Sequence, residues 1–295
     1  MEVAVISPVY DLDLSDNLSH LYMALQWLCK KDPQYRSHWK NIKTKFPSSY
    51  VILDNGANEA QLCDDLELLG TAVDINADEI VAPDVFDDAE GTMSKTEIFL
   101  GNYFEKYIEG NFNVMAVAQG RNQVQFMDCY KEFVIDPRIS TIGIGYRNLF
   151  KPFEFNMRPL TEESWKALGI PDTRVLKDML DEQTFYFTVS RLFFLRTRVD
   201  FKDLRKHNKQ IHLLGLTNPY ELSLYKKVLY PEELELIRGC DSASPCQAAQ
   251  AGVKFNKGFG VEKKPKDYLD FEKRMTSKQR ELAIKNMVII EKWME

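Results

Sequence analysis

Three aspartates in this chain each follow a short apolar run. Asp54 ends Tyr50-Val51-Ile52-Leu53, Asp84 ends Ile80-Val81-Ala82-Pro83, and Asp241 ends Leu236-Ile237-Arg238-Gly239-Cys240. Two carboxylates in one pocket can carry out displacement at an anomeric carbon: one attacks, and the other handles the leaving group's proton. A third Asp and an amide, with exposed backbone at glycines, can read the hydrogen-bonding edge of a flat heterocycle. Gln119-Gly120, after Asn113-Val114-Met115-Ala116-Val117-Ala118, and Gly143 and Gly145, within Ser140-Thr141-Ile142-Gly143-Ile144-Gly145, have the residue types for that second task. Small residues after Asp241 (Ser242-Ala243-Ser244) leave its carboxylate uncrowded, and Pro245 is expected to break regular structure there. Each position also has a plainer reading. Asp54-Asn55-Gly56 is a turn sequence, Asp84 suits a helix cap, and the glycines suit close packing.

The elements that must present these residues follow from periodicity. Apolar runs predict strands at Val3–Val9, Tyr50–Leu53, Glu79–Asp84, Asn113–Gly120, Ser140–Gly145, Gln210–Leu216, Leu236–Asp241 and Gly252–Asn256. Helical spacing predicts a helix capped by Asp16-Asn17 that runs through Leu18, Leu21, Leu25 and Leu28. Further helices are expected around Leu62, Leu66 and Leu69, over Thr92–Tyr107 and Gln123–Val134, after Asn218-Pro219-Tyr220-Glu221, and over Ser277–Trp293. Strands alternating with helices predict a parallel sheet with right-handed crossovers, and eight repeats predict an α/β (β/α)8 barrel of the TIM type. Its reactive groups are then expected at the C-terminal strand ends.

Two segments depart from the repeat. Roughly sixty residues separate the fifth and sixth expected strands, where a βα unit needs roughly thirty. Residues 147–209 are therefore read as an enlarged, basic connection. Residues 254–295 form a basic C-terminal extension within a single domain spanning 1–295. Thr188–Lys209 holds seven Lys and Arg against two Asp, interleaved with Phe193, Phe194 and Phe201, and Lys254–Arg280 holds nine against four acids. Arg191, Arg196, Arg198, Lys202, Arg205, Lys206, Lys263 and Lys264 are thus candidates for a nucleic-acid backbone, with a solvated helix face as the alternative.

At 295 residues, 44% hydrophobic and with net charge −6, the chain is globular, and its charge argues against a protein that coats nucleic acid. Met1-Glu2-Val3-Ala4-Val5 lacks a secretory pattern, and no apolar run approaches the ~20 residues of a membrane span. The expectation is a cytoplasmic location with no membrane partner. Cys29, Cys63, Cys129, Cys240 and Cys246 show no CxxC spacing, which predicts reduced thiols and no metal cofactor. His212, on an apolar run, reads as a core histidine rather than a catalyst.

In order along the chain, these motifs resemble the tRNA-guanine transglycosylase superfamily. Leu53-Asp54-Asn55-Gly56 resembles its Asp-Ser-Gly-Gly element, Val81-Ala82-Pro83-Asp84 its base-binding strand end, and Val117-Ala118-Gln119-Gly120 its Val-Gln-Gly. Ile142-Gly143-Ile144-Gly145 is similar to its glycine-rich strand, and His212-Leu213-Leu214-Gly215 to its Leu-Met-Gly-type strand. Asp241-Ser242-Ala243 resembles the Phe-Asp-Ser-Ala of the archaeal branch. The resemblance implies Asp241 as nucleophile and Asp54 as general acid/base. It also implies that Asp84, Gln119, Gly120, Gly143, Gly145, Asn55 and Gly56 surround the base.

The departures shift the implied substrate. The clustered cysteines and later His that hold zinc in the tRNA enzymes are absent from the sequence, Asn58-Glu59 stand where the family has a stacking aromatic, and Cys246-Gln247-Ala248-Ala249 replaces an Arg-rich stretch. The short form resembles the phage-type DNA deazaguanine transglycosylases. It implies exchange of guanine in DNA for a 7-deazaguanine, in a host cytoplasm if the gene is phage-borne. Exchange on tRNA, hydrolysis of a free sugar by a barrel glycosidase and non-catalytic nucleic-acid binding stay open as alternatives. So does assembly as a homo-oligomer or with a partner protein.

Overall fold

Strands that are apolar on both faces, separated by half-apolar helices, can bury themselves only between an inner core and an outer helical layer. The computed structural model describes residues 1–17, 19–57, 64–145, 180 and 182–294. It shows that arrangement as eight parallel strands in the order β1-β8-β7-β6-β5-β4-β3-β2. They are β1 (Glu2–Val5), β2 (Leu21–Leu25), β3 (Tyr50–Asp54), β4 (Glu79–Val81), β5 (Asn113–Val117), β6 (Thr141–Gly145), β7 (Gln210–Leu214) and β8 (Ile237–Ser242). The two edges, β1 and β2, approach each other where the Ser19 hydroxyl donates to the Val3 carbonyl at 3.1 Å. The sheet is thus a nearly closed (β/α)8 barrel.

The count of eight is right, but its members differ. Leu21–Leu25 is a strand with all five residues buried, not the middle of a helix. Leu18, Leu21, Leu25 and Leu28 do have helical spacing, but Tyr22, Met23 and Ala24 between them are apolar too, and such a continuous run suits a strand covered on both faces. The helix begins only at Gln26, as α1 (Gln26–Lys31), followed by α2 (Pro33–Lys45). Gly252–Asn256 is not a strand. It contributes one isolated antiparallel bridge, Asn256 to Gly260, because β8 already pairs with β1. The enlarged connection therefore lies between β6 and β7.

The other helices are α3 (Asp65–Asp74), α4 (Ala89–Tyr103), α5 (Gln123–Ile135), α6 (Glu182–Thr197), α7 (Phe201–Lys206), α8 (Tyr220–Val228), α9 (Pro231–Leu234), α10 (Ser244–Gln250) and α11 (Ser277–Met294). Pro245 sits in the first turn of α10. There its missing N–H costs nothing, so it opens a helix instead of ending regular structure. Leu18, Leu62, Cys63, Asn58, Glu59 and most of the 147–209 connection lie outside the described residues. No helix among those described is long and apolar enough to cross a membrane.

Alternation decides what faces inward. Leu21 and Met23 of β2 join Ala4, Ile52, Val81, Met115 and Val117 in the barrel interior, while Tyr22 and Ala24 pack outward against the helices. The β7–β8 ladder shifts register: Ile211 pairs with Ile237, but His212 pairs with Gly239. This bulge lets Arg238 and Asp241, three residues apart, both point inward, where strict alternation would set them on opposite faces. Arg238 crosses the N-terminal end of the barrel to pair with buried Glu79. Asp241 emerges at the other end.

Candidate active site

The C-terminal strand ends surround a cavity of about 550 Å³ whose walls include Asp54, Asn55, Asp84, Gln119, Gly145 and Asp241. Five separate strand–loop junctions supply these residues, so one pocket gathers positions almost two hundred apart in sequence. Residues 264–271 cross this end and add Lys264, Tyr268, Leu269 and Phe271.

Asp84 is 4% exposed, with both oxygens occupied. Asn55 Nδ2 donates to Oδ1 at 2.7 Å, and Gln119 Nε2 donates to Oδ2 at 2.5 Å. The amides are themselves fixed. Asn55 also donates to the Ala82 carbonyl at 2.7 Å and accepts from Ala57 N at 2.8 Å, and Gln119 Oε1 accepts from Asp87 N at 3.2 Å. Burial pushes the Asp84 carboxyl above the ordinary aspartate range, and the amide hydrogens oppose that shift.

Asp54 ends β3 half-buried, and its Oδ2 accepts from Gly56 N at 3.0 Å. Gly56 has φ of +76°, a left-handed turn that favours glycine, so the turn expected at Asp-Asn-Gly and the presentation of Asp54 are one feature. Asp241, 6% exposed, accepts at Oδ1 from Gly215 N at 3.0 Å and lies 3.3 Å from His212 Nε2. His212 is fully buried, and burial lowers its proton affinity while the Asp241 hydrogen bond raises it. Sequence reasoning assigned His212 to the core. The signal that places it at the site is β7–β8 adjacency, which sets His212 beside the strand that carries Asp241.

Three of the expected base-contacting glycines do not line the cavity. Gly56 shapes the turn described above. Gly143 lies deeper in the barrel, where an added Cβ would sit 3.0–3.2 Å from Leu214, Val117 and Met115. At Gly120 an added Cβ would fall 2.5 Å from Phe126 N, so that glycine permits the start of α5 to pack against the loop.

The expected backbone-binding set is largely displaced. Arg191 is fully buried and forked onto Glu221, with Nε–Oε1 at 2.8 Å and Nη2–Oε2 at 2.7 Å, so it cannot meet a phosphate. Its charge was visible in the sequence, but its partner 30 residues away was not. Arg196 pairs with Glu233 at 3.4 Å and stacks over Tyr230, Lys206 pairs with Asp203 at 3.9 Å, and Arg205 donates to the Glu232 carbonyl at 2.8 Å. Arg196 lies in the last turn of α6, and Arg198, Lys202, Arg205 and Lys206 follow that helix and precede β7. They therefore lie at the N-terminal end of the barrel, opposite the cavity. Arg205 borders a second cavity there, with the strand starts Tyr50, Asn113, Thr141 and Gln210. Lys264 lines the main cavity, and Lys263 is exposed beside it.

Cys240 and Cys246 pack into separate apolar clusters, and burial pushes both thiols well above their ordinary range. Among the described residues no group of three or more His, Cys, Asp or Glu could hold a metal ion. No protein-family model matches the chain, and no curated protein matches it.

Proposed function

We propose that this chain is a base-exchange transglycosylase that replaces guanine in DNA with a 7-deazaguanine through a covalent aspartyl–sugar intermediate. One observation carries the proposal: Asp54 and Asp241 line the same cavity as Asp84, whose carboxylate is held by the Asn55 and Gln119 amides. Two carboxylates alone would suit many glycosyl transfers. The pairing of a carboxylate with an amide at Asp84 and Gln119 favours a heterocycle with an amide-like edge: guanine N1–H and N2–H donate to a carboxylate, and its O6 accepts from an amide N–H.

In this mechanism Asp241 attacks the sugar C1′, the bond from C1′ to the guanine N9 breaks, and Asp54 gives its proton to the departing base. The incoming deazaguanine then loses its N9 proton to Asp54 and attacks C1′ from the opposite face, expelling Asp241 as a carboxylate. Two inversions give retention, as in retaining glycosidases. A guanine in a duplex must first leave the stack, at a cost of a few kcal/mol that pocket contacts offset. DNA is preferred to tRNA because the sequence lacks the clustered cysteines of the tRNA enzymes.

The test incubates the protein with labelled DNA or tRNA and a 7-deazaguanine base, then looks for an adduct that survives denaturation. Wild type is expected to trap DNA, and Asp241→Asn to trap nothing. An Asp241→Asn protein with full exchange activity refutes the nucleophile, and trapping of tRNA alone transfers the reading to tRNA.

A further inference from the structure

The two oxygens of Asp241 are not equivalent. Oδ1 accepts from Gly215 N at 3.0 Å and faces His212 Nε2 at 3.3 Å, whereas no described residue donates to Oδ2. Gly215 is locked to this task. It has φ of +69°, and the next residue, Leu216, donates its N–H to the Asp241 backbone carbonyl at 2.7 Å. The turn after β7 therefore grips Asp241 at both main chain and side chain.

His212 can contribute only in one form. Its Nδ1 is buried with no hydrogen-bond partner among the described residues. A proton there would be a buried orphan donor, costly in a dry interior. It would also turn the Nε2 lone pair toward a carboxylate lone pair. With the proton on Nε2 both problems vanish, and the imidazole donates to Oδ1.

We infer that His212 is a positioning residue which, together with Gly215, holds Asp241 by Oδ1 and leaves Oδ2 facing the cavity as the attacking oxygen. Two donors on one oxygen break the two-fold symmetry of the carboxylate and fix its plane. The same donors stabilise the carboxylate when it is expelled from C1′ in the second displacement, so His212 acts on both steps without touching the sugar. The inference rests on the nucleophile assignment for its chemistry, but its hydrogen bond does not depend on activity.

Two measurements test it. In long-range proton–nitrogen NMR of the free protein, His212 is expected as a single neutral Nε2–H tautomer, and an Nδ1–H tautomer overturns the inference. In single-turnover trapping with a 7-deazaguanine base and DNA, His212→Phe keeps ring volume without the donor. It is expected to form adduct about 10–100-fold more slowly, the loss of one hydrogen bond to a charged group, with unchanged affinity for the free base. His212→Gln restores an N–H near Nε2 and is expected to stay within a few-fold of wild type. A His212→Phe rate equal to wild type, or a His212→Gln rate as slow as His212→Phe, overturns the positioning role while the transglycosylase reading stands. Wild type that forms no Asp241-dependent adduct sinks that reading instead, and the tautomer still decides the hydrogen bond.

Discussion

Arg191 and Glu221 form a two-point ion pair in the wall of the barrel, both fully buried, at 2.7 and 2.8 Å. The same guanidinium donates to the Leu214 carbonyl at 2.7 Å, and Tyr225 donates its hydroxyl to Glu221. Leu214 ends β7, and Gly215 after it holds Asp241, so this pair anchors the turn that supports the proposed nucleophile. Removing one partner strands a buried charge. Arg191→Met is expected to destabilise the fold by about 3–5 kcal/mol, measured by urea unfolding. Arg191→Met combined with Glu221→Gln is expected to recover part of that loss. A single variant as stable as wild type contradicts the role.

Asp84 gives a pH signature. Its folded pKa lies above its ordinary value of 3.8 because burial penalises the charged form. Between those two values the folded state binds more protons than the unfolded one, so stability falls as pH rises through that window. Asp84→Asn is expected to lack that slope in chemical unfolding. Recognition of guanine N–H groups needs the ionised form, so the wild-type affinity for free guanine is expected to fall as pH drops through the raised pKa. Calorimetric titration reads this directly, and affinity that follows an ordinary aspartate counts against Asp84 as the base reader.

Placement separates the basic residues into two groups. Lys264 lines the cavity and holds its backbone N–H 3.2 Å from Thr184 Oγ1, whereas Lys202 and Lys206 lie at the far end of the barrel. Lys264→Glu is expected to weaken DNA binding and reduce its logarithmic salt slope by about one. Lys202→Glu with Lys206→Glu is expected to leave both unchanged. Fluorescence anisotropy across a salt series checks this, and equal effects from the two groups defeat the assignment.

Gly120 is a steric position. A methyl group there meets Phe126 N at 2.5 Å, backbone that cannot swing aside. Gly120→Ala is expected to cost about 1–3 kcal/mol in thermal or chemical unfolding. A neutral Gly120→Ala would return Gly120 to consideration as a base contact.

Much of this was legible in the amino-acid order. Asp54, Asp84, Gln119 and Asp241 each follow a run with strand periodicity, and parallel strands linked by helices must bring such ends to one face. Those four residues and Asn55 line one cavity. The misassigned segment shows where the pattern loses resolution: in Leu21–Leu25 every residue is apolar, so strand and helix periods fit equally well.

What the chain determined by itself was therefore the alternation of elements, and with it the barrel and the polar rim at its C-terminal end. Tertiary structure decided which charges meet. Arg191 and Lys202 are the same kind of residue within one basic stretch, but one is sealed against Glu221 and the other is exposed. The bulge at Arg238 turned both Arg238 and Asp241 inward, and pairing of β7 with β8 set His212 against Asp241 Oδ1. Periodicity is a local property of the chain, whereas burial, ion pairing and the difference between two carboxylate oxygens depend on residues distant in sequence, which only folding brings within reach.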